Sequence, residues 1–209
     1  MTSPGKLDPA LEAKFFAGVE YAGQFFMGSS KVHLALAKLA RLLDEAGIPY
    51  AVIGALALNE YGYLRVTVDV DVLLTREGLD AFKHRHLGRG YLEKFPGSKG
   101  MRDTENNVVI DVVLAGEYPG DGKPKAVSFP DPSSAASKGA RIWLLPLPKF
   151  IELKLASGMT APHRLRDLAD VLEIIRIQGL TEEFAEHLDP SVRVKYREMW
   201  IASQTRDPE

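Results

Sequence analysis

The segment "VTVDVDVLL", residues 66–74, permits one local structure: its β-branched residues are too dense for a helix, so it reads as a strand. Yet it carries two carboxylates, Asp69 and Asp71. Successive strand side chains alternate, so both acids point to one face and the flanking valines point to the other, into a core. Two neighbouring carboxylates repel, and burying them uncompensated is expensive. A divalent cation removes that cost. Mg²⁺ suits the pattern because it takes a few carboxylates together with phosphate oxygens and water. Paired ions about 4 Å apart also need carboxylates that bridge them. A third lone acid, Asp111 in "NVVIDVVLAG", sits inside another apolar β-run. On a neighbouring strand it would complete such a site.

Upstream, "VIGAL" reads as a strand entering a tight glycine turn and then a short helix, "ALALNEYGY". Gly54 there lets a phosphate approach the backbone, and the amides that follow can point at it. Thr67 shares the face of Asp69 and Asp71, and so does Arg65 if the strand starts that early. The Arg65 guanidinium has two readings, a phosphate ligand or an ion-pair partner of an aspartate.

The rest of the chain supplies the frame. Asp8 and Pro9 open a helix whose apolar stripe is Phe15, Phe16, Val19, Phe25 and Phe26, read as core or as a dimer or partner surface. A second helix places Val32, Leu36, Leu39 and Leu43 at helical spacing and ends at Gly47. Residues 75–87 read as helix. "GYLEKF" and "GMRDTENNVVIDVVLAG" read as strands joined by the turn "PGSKG", which lacks full P-loop spacing. Residues 116–140 read as a long surface loop with one short strand at 126–129, and "RIWLLPL" as a last strand. Helices follow over 148–157, 164–178, a short piece after Thr181, and 190–202 capped by Asp189. The expected fold is α/β (α+β): a mixed sheet flanked by helices. A soft boundary divides residues 1–145 from a helical part, 146–209, packing on them.

These motifs together resemble the polymerase-β-like nucleotidyltransferase superfamily: a strand ending in glycine, a short helix, Arg-x-Thr-x-Asp-x-Asp, and a lone Asp on a later strand. More narrowly, "GALALNEYGYLRVTVDVDVLL" is similar to the nucleotidyltransferases of bacterial abortive-infection toxin–antitoxin pairs and their stand-alone relatives. "LPKFIELKLASGMTAPHRLRDLADVLEII" supports this, with Lys154 on the helix after the last strand and Arg166, Asp167 and Asp170 on the next. The likeness spans residues 48–175. It implies transfer of a nucleoside monophosphate from an NTP (ATP, GTP or CTP) to a hydroxyl or phosphate, with pyrophosphate leaving. It puts two Mg²⁺ ions, replaceable by Mn²⁺, on Asp69, Asp71 and Asp111. Asp111 would help deprotonate the acceptor. It also implies nucleotide contacts from Gly54, Ala55, Arg65, Thr67 and Lys154, with Asp167 orienting Lys154 or activating the acceptor. Two positions depart from the pattern: Ala55, where many members have serine, and Arg166, where lysine is commoner. The implied acceptor is RNA such as tRNA, or protein, and an antitoxin is the candidate partner. The alternative is a small-molecule, aminoglycoside-type acceptor, or an inactive nucleotide-binding regulatory member.

Other readings are weaker. Haloacid-dehalogenase-type phosphatases place a threonine two residues after the second aspartate, where this chain has Leu73. Glycosyltransferases of Asp-x-Asp type leave Asp111 and the glycine turn unexplained. Asp167 and Asp170 have a bland reading as intrahelical ion pairs with the nearby arginines. His84 and His86 do not share a helix face, and His33, His163 and His187 are isolated. The run "KHRHLGR" reads as a solvated helix end, or as an RNA contact if it lines the cleft. The 209 residues contain no cysteine, which excludes a disulfide scaffold, a thiolate zinc site and a cysteine nucleophile. The net charge of -2 advertises no general affinity for nucleic acid. No apolar run approaches the roughly 18 residues of a membrane span, so the expected protein is cytoplasmic and makes no membrane contact.

Overall fold

The computed structural model describes residues 9–139 and 141–205, so Asp8, expected as a helix cap, lies outside the described residues. Helix α1 (Pro9–Phe26) is followed by α2 (Lys31–Glu45). Val32, Leu39 and Leu43 of α2 are buried as their spacing requires, together with Ala35, while Leu36 is partly buried against the core. Gly47, at φ +63°, ends the helix with paired bonds: its N–H donates to Asp44 O at 3.0 Å, and the Ile48 N–H donates to Leu43 O at 2.9 Å. Then come β1 (Ala51–Ile53), α3 (Gly54–Glu60), β2 (Asp69–Leu74), α4 (Arg76–His86), β3 (Tyr91–Glu93), β4 (Met101–Asp103) and β5 (Val108–Leu114). Thr75 caps α4 by accepting from the Gly78 N–H. A short α5 (Pro132–Ala135), β6 (Ser137–Lys138) and β7 (Trp143–Leu144) lead to the helical C-terminal part. That part comprises α6 (Leu147–Thr160), α7 (Leu165–Gln178) and α8 (Pro190–Gln204), with 3-10 turns at Pro162–Arg164 and Glu182–His187.

The seven strands form one mixed sheet in the order β3-β4-β5-β2-β1-β7-β6. β2 runs antiparallel to β1 and parallel to β5, with Asp71 paired to Asp111. Alternation splits these strands, except that Leu73, on the face of Asp69 and Asp71, is buried as well. Val70, Val72, Ile110, Val112 and Leu114 are buried on the face that meets α2, and the aspartates sit half-buried on the other. A fully buried Leu or Val of this kind contributes about 1.5–3 kcal/mol. The core face is therefore closed, and the acidic face is left for the cleft.

Two expectations are corrected and a third is narrowed. The second strand begins at Asp69, not at Val66. Its neighbour β1 reaches only to Ile53, opposite Asp71, and β5 pairs no further back than Val109. Residues 65–68 leave the sheet, and side chains meet their backbone groups instead. The Arg65 N–H donates to Asn59 Oδ1 at 2.7 Å, and the Tyr21 hydroxyl donates to Thr67 O at 2.6 Å. Residues 126–129 form no strand. Two bonds between Phe129 and residues 116–117 pin the loop to the end of β5, and Val127 is buried. Of the readings open for the apolar residues of α1, core holds for Phe25 alone; Phe15, Phe16, Val19 and Phe26 are exposed, which leaves the dimer or partner surface. Among the described residues, no helix is long and apolar enough to cross a membrane.

Candidate active site

β1 delivers the chain to Gly54 directly beside Asp71, because Ile53 is the antiparallel partner of Asp71. Gly54 has φ +67°, and a Cβ there would come within 1.9 Å of Asp71 Oδ2. Glycine is thus required twice, for its backbone angle and for the room it leaves a carboxylate. Ala55, the next residue, is 1% exposed and is not among the residues that line the cleft.

A cleft of about 930 Å³ opens over the acidic face of the sheet. Gly54, Arg65, Thr67, Asp69, Asp71, Asp111, Lys154 and Asp167 all line it, so it gathers every sequence-derived site residue except Ala55. Thr67 still reaches Asp69, donating its hydroxyl to Oδ1, although it does so from coil and not from the strand. Burial and the charges of Asp69 and Asp111 push the Asp71 carboxyl up to about 7, against the pull of Lys154 and Arg65. Asp111 is held by the Lys94 ammonium at 2.8 Å.

Opposite the acids stands a cationic wall. Lys154, on α6, donates to Asp167 Oδ1 and to Asp170 Oδ2, both at 2.7 Å. Arg65 donates from Nη1 to both Asp170 oxygens, at 2.7 and 2.6 Å, and its Nε is buried without a partner. Asp170 is therefore no intrahelical ion-pair residue. It is 2% exposed, and it fastens α7 to the segment ahead of β2 and to α6. Burial alone would push the Asp167 carboxyl up. The Lys154 ammonium and the Ser157 hydroxyl outweigh it and hold that carboxyl below its ordinary value. This network gives a first prediction. Lys154→Met strands two buried carboxylates and lowers unfolding stability by about 3 kcal/mol, read from urea denaturation. A loss under about 1 kcal/mol would show that Arg65 and Ser157 suffice.

Several lining residues carried no signal in the sequence. Glu117, Tyr118 and Phe129 come from the loop read as surface. That loop is folded onto α6 by Lys125, which donates to Pro119 O at 2.6 Å and to Thr160 Oγ1 at 3.1 Å. His163 and Arg164 line the cleft from the turn into α7, beside Arg166 of the motif the sequence did show, and Tyr21 lines it from α1. Isolated residues become site residues here only through tertiary approach. The basic run 83–89 is absent from the cleft lining, which removes the reason to read it as a contact for RNA. Lys83 is instead committed to Glu93 at 2.6 Å.

The donor set fits a hard divalent cation. It offers oxygen ligands only, and Asp71 carries a carboxyl whose charge is undercompensated. Among the described residues, no three histidine or acidic side chains are gathered closely enough to hold a metal as they stand. Asp111 engages Lys94 and Asp69 engages Thr67, so a bound ion has to compete with both.

No protein-family model matches the sequence, and no curated protein matches it. Among solved structures, the chain is similar to ANT(2")-Ia in complex with adenylyl-2"-tobramycin. The TM-score is 0.50 at 16% identity, over 81% of this chain and 98% of that one. A solution structure of the antibiotic-resistance factor ANT(2'')-Ia gives a TM-score of 0.49 at 17% identity, over 82% and 93%. At this identity the first likeness speaks to architecture alone: the chain is similar in fold to ANT(2")-Ia.

Proposed function

We propose that the chain is a divalent-cation-dependent nucleotidyltransferase that moves a nucleoside monophosphate from an NTP to a hydroxyl of a small-molecule acceptor. One observation carries this reading: Asp71 and Asp111 lie in register beside Gly54 on the cleft floor, facing Lys154 and Arg65. Asp69, Asp71 and Asp111 would hold the cation, which when bound offsets charge on the reacting phosphates. Gly54 leaves the backbone bare where a phosphate approaches. Lys154 and Arg65 meet the triphosphate chain, steadied by Asp167 and Asp170. An Asp111 carboxylate oxygen takes the proton of the acceptor hydroxyl as its oxygen bonds to the α-phosphorus. The bond from that phosphorus to the β-phosphate bridge breaks, and pyrophosphate leaves.

The acceptor is assigned as small for two reasons. Loop residues 117–120 and α6 wall the cleft, and its roughly 930 Å³ suits a nucleotide with a compact co-substrate. The structure of similar fold holds adenylyl-2"-tobramycin, an adenylylated small molecule. The basic run lies outside the cleft and so adds nothing for an RNA acceptor; an RNA or protein acceptor, a toxin role and an antitoxin partner rest on the sequence resemblance alone. The test is to incubate the protein with Mg²⁺ and each α-labelled NTP. Aminoglycosides and other polyhydroxylated small molecules, total RNA, and cell extract are supplied separately, beside Asp69→Ala. Label is expected on a small molecule, with loss in the variant. Label on RNA or protein would overturn the acceptor class. No Asp69-dependent label, and no NTP binding by calorimetry, would overturn the enzyme.

A further inference from the structure

Helix α1 is held to the body near its end. The Tyr21 hydroxyl bonds Thr67 O, and the buried Phe25 ring packs on His33 with centroids 4.7 Å apart. Along the outer side, Leu11, Phe15, Phe16 and Val19 are 55–65% exposed, and Phe26 and Met27 are 57% and 82% exposed. Phe15, Val19, Ala22 and Phe26 recur at the four-three-four spacing of a two-helix seam. A single helix that shows such a stripe to water has little to stabilise it, because helices of this length rely on packing.

The candidate occupants separate on chemistry. A membrane-surface helix carries a lysine- and arginine-rich polar face, and within α1 the only cationic residue is Lys14. A charged partner would need complementary charge, which a nearly neutral helix does not offer. A second copy needs none, because an apolar seam is its own complement about a two-fold axis. Covering the six exposed side chains would remove on the order of 700 Å² per protomer, close to the share of a standard stable interface. We propose that α1 pairs with α1 of a second copy of this chain, making the protein a symmetric dimer. Tyr21 lies on that helix and lines the cleft, so the dimer seam also braces one wall of the site.

The test is solution mass by light scattering on the full-length protein at tens of micromolar. The wild type is expected at twice the 23.0 kDa chain mass, and the double substitution Phe15→Glu with Val19→Glu at one chain mass. Both side chains are more than half exposed, so the monomeric variant should still unfold cooperatively, with a urea midpoint that no longer rises with protein concentration as the wild type's does; Leu11→Glu gives a second, independent reading at the seam's other end. Ile201→Glu, a substitution at an equally exposed apolar residue on α8, should leave the dimer intact. A monomeric wild type overturns the proposal. So does a dimer that survives the seam substitutions, or one that Ile201→Glu dissociates as readily.

Discussion

Asp71→Asn is expected to lower nucleotidyl transfer by at least about 10³-fold while making the cation-free protein more stable above neutral pH. The two effects share one cause. The Asp71 carboxyl titrates at about 7 in the folded protein because of burial and the neighbouring Asp69 and Asp111 charges. The unfolded chain gives it up near 4. A raised carboxyl means that the folded state holds the proton more tightly. The destabilisation is therefore absent below about pH 4, builds as pH rises toward 7, and is complete above it. At full strength it amounts to a few kcal/mol, which asparagine, carrying no charge, removes. Thermal melts at pH 5 and pH 8, with and without Mg²⁺, check this. Wild type should lose stability between the two pH values and recover it on adding Mg²⁺ at pH 8. The asparagine variant should show neither change. A variant less stable than wild type at pH 8 would mean that the carboxylate is already compensated by Lys154 and Arg65.

Gly54→Ala should do comparable damage by another route. The added methyl would stand 1.9 Å from Asp71 Oδ2 and 2.9 Å from Asp71 Cβ, so strand β2 has to shift as well as the carboxylate. The positive φ adds its own strain. Together these should cost about 2–4 kcal/mol of stability, with transfer falling below detection as Asp71 is displaced from its register opposite Asp111. Gly116→Ala separates the two contributions. Gly116 has φ +83° but nothing within 4 Å of a built Cβ, so it should lose only about 1 kcal/mol and retain activity. Equal losses at both positions would show that backbone strain, not the contact with Asp71, makes Gly54 necessary.

The acidic strand, the glycine turn and Asp111 were legible because each is a local anomaly: a carboxylate in a β-run, or a glycine where a strand meets a helix. The parallel pairing that sets Asp71 beside Asp111 needed the structure, since spacing along a strand says nothing about register. Strand length was misread at Arg65 and Thr67 because β-propensity does not know where the neighbouring strand stops. Asp170 shows the same limit from the other side. On its helix it matches an ordinary surface ion pair, and only the approach of Arg65, 105 residues away, turns it into a buried clamp. Tyr118, Phe129 and His163 enter the cleft through loop and turn packing that leaves no periodic trace in the sequence.

Parallel pairing of β2 with β5 also bears on when the site is assembled during folding. Between the two strands lie α4 and the β3–β4 hairpin, so pairing β2 with β5 closes a long connection. Until then Asp69 and Asp71 face no third carboxylate, and their mutual repulsion with Asp111 is not yet felt. We expect this long-range pairing to be completed late, so that the electrostatic burden falls mainly on the native side of the barrier. A cation that recognises all three acids has nothing to bind earlier. It should slow unfolding by about the whole of its stabilisation and leave the refolding rate almost untouched, which makes ligand occupancy a brake on loss of the fold and no aid to reaching it.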